Sequence, residues 1–402
     1  MPWEERTALD QRKQFIEEYQ LEQDDFAELC RKYAVSRQTG YKWVKRFAAE
    51  GEAGLADLSR APRHSPQAME ADVAARVIEL RQQHPRWGPR KLRVYLQRRE
   101  PQEHWPATSS IGYLLQREGL VQARRQRHRT PRYSEPLVHA QAPNQVWCAD
   151  FKGWFVCGDG ARCDPLTITD AFSRYLLRCR AVAKTDGANV RGVFEAVFRE
   201  CGLPDAIRTD NGPPFSAPAP AGLSRLAMWW LRLGIRHERI EPGRPDQNGR
   251  HERMHQTLKQ ETADPPARNL RQQQQAFLRF EREYNLQRPH EALAYQTPGA
   301  LYVASARRYP ARLPELEYPE GVVLRQVAEN GLLRWNNDRT FVSKLMGGEY
   351  VGLLPTKEEH FYEVYYGQVL LGWFDETENY FAADAGAPPK RNRQGKPQRG
   401  ES

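Results

Sequence analysis

Gln145-Val146-Trp147-Cys148-Ala149-Asp150-Phe151 is an apolar run with one carboxylate inside it. Its aromatic and β-branched content predicts a strand. A carboxylate between Ala149 and Phe151 is costly to bury without a partner, so Asp150 is a candidate functional group. Outward from it, 165–170 and 175–182 read as two more strands in hairpin order. A helix follows, with Val190, Val193, Phe194, Val197 and Phe198 on its inner face. Ala206-Ile207-Arg208-Thr209 is a short strand ended by Asp210, after which Asn211-Gly212-Pro213-Pro214 turns sharply. Leu223 to Leu233 reads as a helix, 234–238 as a last strand, and a long polar helix begins near Asp246. Hairpin strands followed by alternating helices and strands predict a mixed α/β sheet over 141–300.

Two of its acids stand where ligands gather. Asp210 closes a strand, and open α/β sheets bind ligands beyond their strand C-termini. Glu252 lies early in the polar helix, on a stripe with Asn248, His255, Leu258 and Lys259. A carboxylate, an imidazole and an ammonium on one face suit a metal and a phosphate together. Phosphodiester cleavage needs an activated oxygen nucleophile and a way to spread phosphate charge, which two divalent ions about 3.5–4 Å apart supply. Carboxylates hold such hard ions and leave positions for water and substrate. Taken singly, each acid also has a plain reading: Asp150 as a hydrogen-bonded strand residue, Asp210 as a turn former, Glu252 as a solvated helix charge.

Upstream, the texture is helical. Leu9 to Tyr19 is one helix, and Phe26, Leu29, Cys30 and Tyr33 form the apolar stripe of a second. Ser36 is placed to cap a third, which carries Tyr41, Val44 and Phe47 inward and Arg37, Gln38, Thr39, Lys42 and Arg46 outward. Two helices, a tight turn and a cationic second helix predict a helix-turn-helix DNA reader over 1–52. A Gly-, Pro- and Arg-rich linker covers 53–67. A second unit of the same plan is expected over 68–122, from the stripe Val73, Val77, Leu80, the turn 85–89, the pair Leu92 and Leu96, and a third helix carrying Ile111, Leu114 and Leu115. Thr108, Ser109 or Ser110 is positioned to cap that third helix.

A basic linker over 123–140 contains Arg124, Arg125 and Arg127, suited to phosphate. Beyond Pro298, short apolar runs are split by turns such as 336–338 and 366–368. They predict a small β-barrel over 301–380, followed by a disordered basic tail over 381–402.

The 402-residue chain has 60 Lys and Arg against 51 Asp and Glu, a formal charge of +9 that fits a polyanion partner. Its mean hydropathy of -0.79 and the lack of any run near the ~20 apolar residues of a membrane span predict no membrane partner. The acidic start 1–5 is unlike a secretory signal, so a cytoplasmic or nucleoid place is expected. None of the six cysteines forms a C-x-x-C pair, which argues against structural zinc.

Three ordered stretches carry a family likeness: 147–153 around Asp150, 207–215 around Asp210, and 244–253 ending at Glu252-Arg253. Together they resemble the signatures of a DDE recombinase, and more closely those of bacterial insertion-sequence transposases with a retroviral-integrase-like core. Leu293 to Pro298 resembles the end of that core, and 28–31 with 36–43 resembles the helix-turn-helix of one such family. The likeness covers nearly all of the chain except the basic tail. It implies an RNase H-like core, two Mg²⁺ or Mn²⁺ ions on Asp150, Asp210 and Glu252, and DNA cleavage followed by strand transfer. Lys259 would hold donor-end phosphates, and the helix-turn-helix units would read the terminal repeats. The partners implied are double-stranded DNA, as element ends and as target, and further copies of this chain, at least a dimer on DNA.

Asp210 and Glu252 stand farther apart than in retroviral-type cores, and the small-residue loop Ser216–Gly222 can absorb the excess. Glu238, Glu241 and Glu261 are rivals for the third acid. An inactive DNA-binding regulator and a nuclease without strand transfer are the other readings.

Overall fold

A computed structural model describes residues 7–22, 25–58, 69–121, 140–241 and 249–383. Arg124, Arg125, Arg127 and Asn248 lie outside the described residues, as does nearly all of the basic linker and tail. The chain divides into two compact units, Met1–Glu70 and Ala71–Ser402.

The first unit holds α1 (Ala8–Gln20), α2 (Phe26–Lys32) and α3 (Arg37–Glu50). Thr7 opens α1 with a capping box: its hydroxyl accepts from Asp10 N, and the Asp10 carboxylate accepts from Thr7 N. Ser36 caps α3 as expected, its hydroxyl accepting from Thr39 N at 3.1 Å. Phe15, Ile16, Leu29, Cys30, Trp43 and Leu55 form the core. Tyr41, expected inside, is 58% exposed and stacks on Phe26, while Trp43 is buried. At about 100° per residue, Gly40, Trp43, Val44 and Phe47 share one arc of α3 and Tyr41 falls off it. Gly40 admits the close approach, since a Cβ there would stand 2.8 Å from Cys30 Sγ. Leu55 is fully buried in this core, so the linker starts later than residue 53.

The second unit begins with α4 (Ala71–Gln83), α5 (Pro89–Arg99) and α6 (Thr108–Arg117). They bury Val77, Leu80, Trp87, Leu92, Leu96, Ile111, Leu114 and Leu115. The expected hydroxyl cap of α6 is not formed; Ala107 is the cap residue and Thr108 already lies in the first turn. His84 Nδ1 meets Glu283 at 2.9 Å, and Arg90 donates to the Tyr295 hydroxyl at 3.2 Å, tying these helices to the next layer.

The central sheet is built from β1 (Val146–Phe151), β2 (Phe155–Val156), β3 (Arg162–Asp170), β4 (Leu176–Val182), β5 (Ala206–Thr209) and β6 (Arg236–Arg239). β1 pairs antiparallel with β3, and β2 continues that pairing one residue out of step, across Gly153 at φ +83°. β3 pairs antiparallel with β4, whereas β1, β5 and β6 run parallel. This is the mixed α/β sheet expected. α7 (Gly187–Cys201) and α8 (Arg225–Arg232) bury Phe194, Phe198 and Trp230 in the same cluster as Trp147, Ala149 and Ile207. α9 (Gly249–Thr262) and α10 (Leu270–Leu286) pack Met254, Leu258, Phe277 and Phe280 against Cys163 and Cys179 in a separate cluster.

α10 also covers the outer edge of β4 with side chains. Asn285 accepts from Leu176 N at 2.8 Å and donates to its carbonyl at 2.9 Å. Gln274 accepts from Ala181 N at 2.8 Å and donates to Cys179 O at 3.0 Å. The Glu281 carboxylate accepts from Cys179 N. An open strand edge is thereby satisfied and protected from pairing with another chain.

A short helix α11 (Pro298–Leu301) leads to the C-terminal strands β7 (Val323–Gln326), β8 (Leu332–Trp335), β9 (Asp338–Phe341), β10 (Tyr350–Pro355), β11 (Phe361–Tyr366), β12 (Val369–Asp375) and β13 (Tyr380–Ala382). The hairpin turns expected near 336 and 367 form, with Asn336 at φ +49° and Gly367 at φ +58°. The barrel does not close. Among the described residues, β13-β12-β11-β10-β7 is an open antiparallel sheet and β8-β9 a separate hairpin, so β13 and β7 remain edges. Strand pairing also carries β13 into 380–382, inside the segment expected as tail from 381. Arg307 fastens the approach to this sheet, donating to the carbonyls of Pro204, Leu233 and Gly234.

Burial pushes the Glu281 carboxyl up to about 7 from its ordinary 4.5. Between those values the folded chain holds a proton that the unfolded chain releases, so stability falls as pH rises through that window. Glu281→Gln keeps the acceptor for Cys179 N and removes the charge. Urea denaturation from pH 4 to 8 should show wild type losing stability relative to the variant by on the order of 1–3 kcal/mol. A difference independent of pH contradicts this account.

Candidate functional site

The site lies on the sheet face that α9 covers. Side chains alternate along a strand, and directly paired residues share a face. Asp150 is paired with Thr167, which puts Asp150, Thr167 and Thr169 on one face. β1 and β5 pair as Val146 with Ala206, Trp147 with Ile207 and Cys148 with Arg208, an offset of 60. Asp150 lies two residues beyond the last of these pairs and Asp210 directly follows β5, so both stand at the C-terminal ends of adjacent parallel strands.

Thr167 is the hub. Its Oγ1 lies 2.6 Å from His251 Nε2, 2.7 Å from His255 Nε2 and 3.1 Å from the Asp150 carbonyl oxygen. A hydroxyl has one hydrogen and two lone pairs. The carbonyl only accepts, so the hydroxyl donates to it, and the two imidazoles donate from Nε2 to the lone pairs. This assignment satisfies all four groups. It leaves Nδ1 of each ring as an acceptor. His251 Nδ1 accepts from the Thr169 hydroxyl at 3.2 Å, and His255 Nδ1 faces Asp150 Oδ2 at 3.8 Å.

Burial drives both imidazoles to the neutral form. His251 is lowered to about 3 and His255 to about 2, the latter helped by His251 and Lys152 nearby. The His255–Asp150 contact is therefore no ion pair but a neutral ring nitrogen turned toward a carboxylate. Asp150, His251 and His255 form the group of potential metal ligands among the described residues, one ligand atom from each lying within 4.8 Å of the others. Asp210 is half-buried, its carboxyl raised by burial and partly relieved by Gly212 N, which donates to Oδ1 at 3.2 Å.

Of the three acids expected to converge, Asp150 stands in the ligand group with His251 and His255, and neither Asp210 nor Glu252 joins that group among the described residues. Glu252 is exposed in the first turn of α9. His251, Met254, His255 and Leu258 take the face toward the sheet. At about 100° per residue, Glu252 and Lys259 flank that face within about 20° of each other. Both are exposed. His255, expected on one face with Glu252 and Lys259 to serve metal and phosphate, is 5% exposed and turned into the sheet.

The rivals of Glu252 include two that are engaged elsewhere. Glu238 accepts from Arg208 at 2.8 Å and Glu261 from Arg288 at 2.6 Å. The Ser216–Gly222 loop is an ordered hairpin, with Ser216 bridged to Leu223 and its hydroxyl donating to Gly222 O.

His251 was not singled out from the sequence. The available signal was the His-x-x-x-His spacing, which puts both rings on one helical face. Lys152, Trp154 and Lys259 line a small cavity of about 130 Å³ next to the site. In the first unit, Arg37, Gln38 and Lys42 are exposed on α3. Thr39 is half-buried, and Arg46 lies over the Trp43 ring and donates to Ala56 O, so these two are partly committed to the fold.

Family comparisons agree with this architecture. Models described as integrase core domains match residues 140–245 and 233–298. A helix-turn-helix domain model matches 11–63, and a homeodomain-like domain model matches 39–115. An uncharacterized 31.7 kDa protein of insertion element IS407 from Burkholderia multivorans is 31% identical over 250 residues, 61% of this chain and 86% of that protein. A 39.2 kDa protein of IS476 from Xanthomonas euvesicatoria is 32% identical over 265 residues, 64% of this chain and 72% of its own length. The transposase of IS904 from Lactococcus lactis is 27% identical over 172 residues, 42% of this chain and 65% of that one. Among solved structures, the HTLV-2 integrase catalytic core domain in complex with magnesium is 18% identical at a TM-score of 0.33, spanning 41% of this chain and 99% of that one. The chain belongs to the insertion-sequence transposases with an integrase core domain.

Thr167→Val removes the hub and strands two buried N–H groups, each costing about 1–3 kcal/mol. Thermal unfolding should show a loss of roughly 2–4 kcal/mol for Thr167→Val against about 1 kcal/mol for Thr169→Val. Equal losses in the two variants contradict the shared-hydroxyl geometry.

Proposed function

We propose that this protein binds the ends of a mobile element through its helix-turn-helix units and cuts and rejoins DNA at Asp150, Asp210 and Glu252. The observation that supports this reading is the parallel pairing of β1 with β5, which brings together the strand ends bearing Asp150 and Asp210. A core of the integrase family makes polynucleotidyl transfer the reaction class.

The donor set fits a divalent cation. Asp150 offers carboxylate oxygen and His255 neutral imidazole nitrogen, and at the neighbouring strand end burial disfavours a bare negative charge on Asp210. Two Mg²⁺ or Mn²⁺ ions, when bound, supply charge stabilisation at the phosphate and an activated oxygen nucleophile. Glu252, exposed beside this face, completes the carboxylate set by turning its side chain inward. Lys152 and Lys259, which line the adjoining cavity, hold the phosphate backbone of the donor end. Arg37, Gln38 and Lys42 on α3 read the terminal repeat, helped by Thr39 and Arg46. Arg124, Arg125, Arg127 and Asn248 add backbone contacts. Synapsis of two ends requires at least two copies of the chain.

A strand-transfer assay with Mg²⁺ and a labelled element end separates the readings. Joined product is expected from wild type. Asp210→Asn should keep DNA affinity within about threefold and lower joining by at least about 10³-fold. Cleavage without joining in wild type marks a nuclease, DNA binding alone marks a regulator, and undiminished joining by Asp210→Asn removes Asp210 from the site.

A further inference from the structure

We propose that His255 Nδ1 is a nitrogen ligand, beside the Asp150 carboxylate, to a divalent cation at this site. The inference rests on the reading of Asp150 as a metal-holding residue and adds a donor that the three acids do not include.

Hydrogen-bond accounting carries it. Thr167 Oγ1 can accept from both Nε2 atoms only if its own hydrogen goes to the Asp150 carbonyl, and this protonates both imidazoles at Nε2. His251 then has both nitrogens engaged, since Thr169 serves its Nδ1. His255 has its Nδ1 lone pair aimed at Asp150 Oδ2, 3.8 Å away. Two acceptors so placed are too far apart for a direct hydrogen bond and gain nothing from facing each other. Metal bonds of about 2.0–2.2 Å to nitrogen and to oxygen span such a gap with an ion between the two atoms.

The surroundings match a built ligand. A metal-bound imidazole ordinarily donates its other N–H to a fixed acceptor, which sets the tautomer and the ring plane. Here that acceptor is Thr167 Oγ1, which is anchored in turn on the Asp150 backbone. One hydroxyl thus orients the imidazole and ties it to the residue supplying the carboxylate. Packing of His251 against His255, rings T-shaped at 4.6 Å, holds the second ring upright. Imidazole suits first-row transition ions better than Mg²⁺, which keeps to oxygen, and Mn²⁺ is the weakest binder of that series, so His255 biases the site away from Mg²⁺ and only modestly toward Mn²⁺.

The test uses the full chain and Mn²⁺ alone, read by electron spin-echo envelope modulation. Wild type should show the ¹⁴N coupling of a bound imidazole, replaced by a ¹⁵N pattern in protein labelled with ¹⁵N-histidine. The coupling should vanish in His255→Gln and persist in His251→Gln. Mn²⁺ affinity should fall about tenfold in His255→Gln, with a smaller loss for Mg²⁺.

Circular dichroism shows whether each variant folds, and the labelled wild-type spectrum decides whether any imidazole binds should either not. Mn²⁺ bound in an Asp150-dependent way but without histidine coupling overturns the proposal and leaves the catalytic reading standing. Coupling that survives His255→Gln and disappears in His251→Gln also overturns it. Absence of any Mn²⁺ binding by wild type overturns both.

Discussion

One threonine hydroxyl sets the geometry of this protein's centre. Thr167 sits opposite Asp150 in the sheet and takes hydrogen bonds from two histidines one helical turn apart on α9. Buried imidazoles without partners are expensive, so the helix docks where both rings reach the hydroxyl. That docking fixes the rotation of α9. Met254 and Leu258 enter the apolar layer, and Glu252 and Lys259 stay on the flank. The contact is polar, buried and shared, which makes it more specific in direction than the apolar packing around it.

Strand register supplies the second constraint. Parallel pairing of β1 with β5 brings the strand ends that carry Asp150 and Asp210 next to each other. The rest of the core serves to hold these strand ends. Aromatic packing of Phe194, Phe198 and Trp230 supports the opposite face, and the amide ladder from α10 seals the β4 edge. The C-terminal strands share an apolar cluster with α8 and Phe215, so they brace the segment that follows Asp210.

Much of this was legible in the sequence, and the failures have physical causes. The apolar run around Asp150 and the turn after Asp210 are local signals, and the structure keeps both. The Ser36 cap and the hairpin turns near 336 and 367 are equally local. Tyr41 was misplaced because aromatic character was weighted over helical angle, which favours Trp43. The sequence puts His255 on one stripe with Glu252 and Lys259, whereas the i, i+4 pair with His251 marks the inward face that the structure buries. Closure of the C-terminal strands depends on pairing between β7 and β13, far apart in the chain, and no local pattern reports it. The position of Glu252 depends on what α9 meets, which periodicity alone does not specify.

The central claim is that Asp150, Asp210 and Glu252 converge on divalent cations when the protein engages DNA. Anomalous scattering from Mn²⁺ in crystals of the full chain bound to an element end tests it most directly. The account predicts metal density between Asp150 and Asp210, with the Glu252 carboxylate turned in to within coordination distance. Metal density absent from those strand ends, or present with Glu252 still facing solvent, contradicts it.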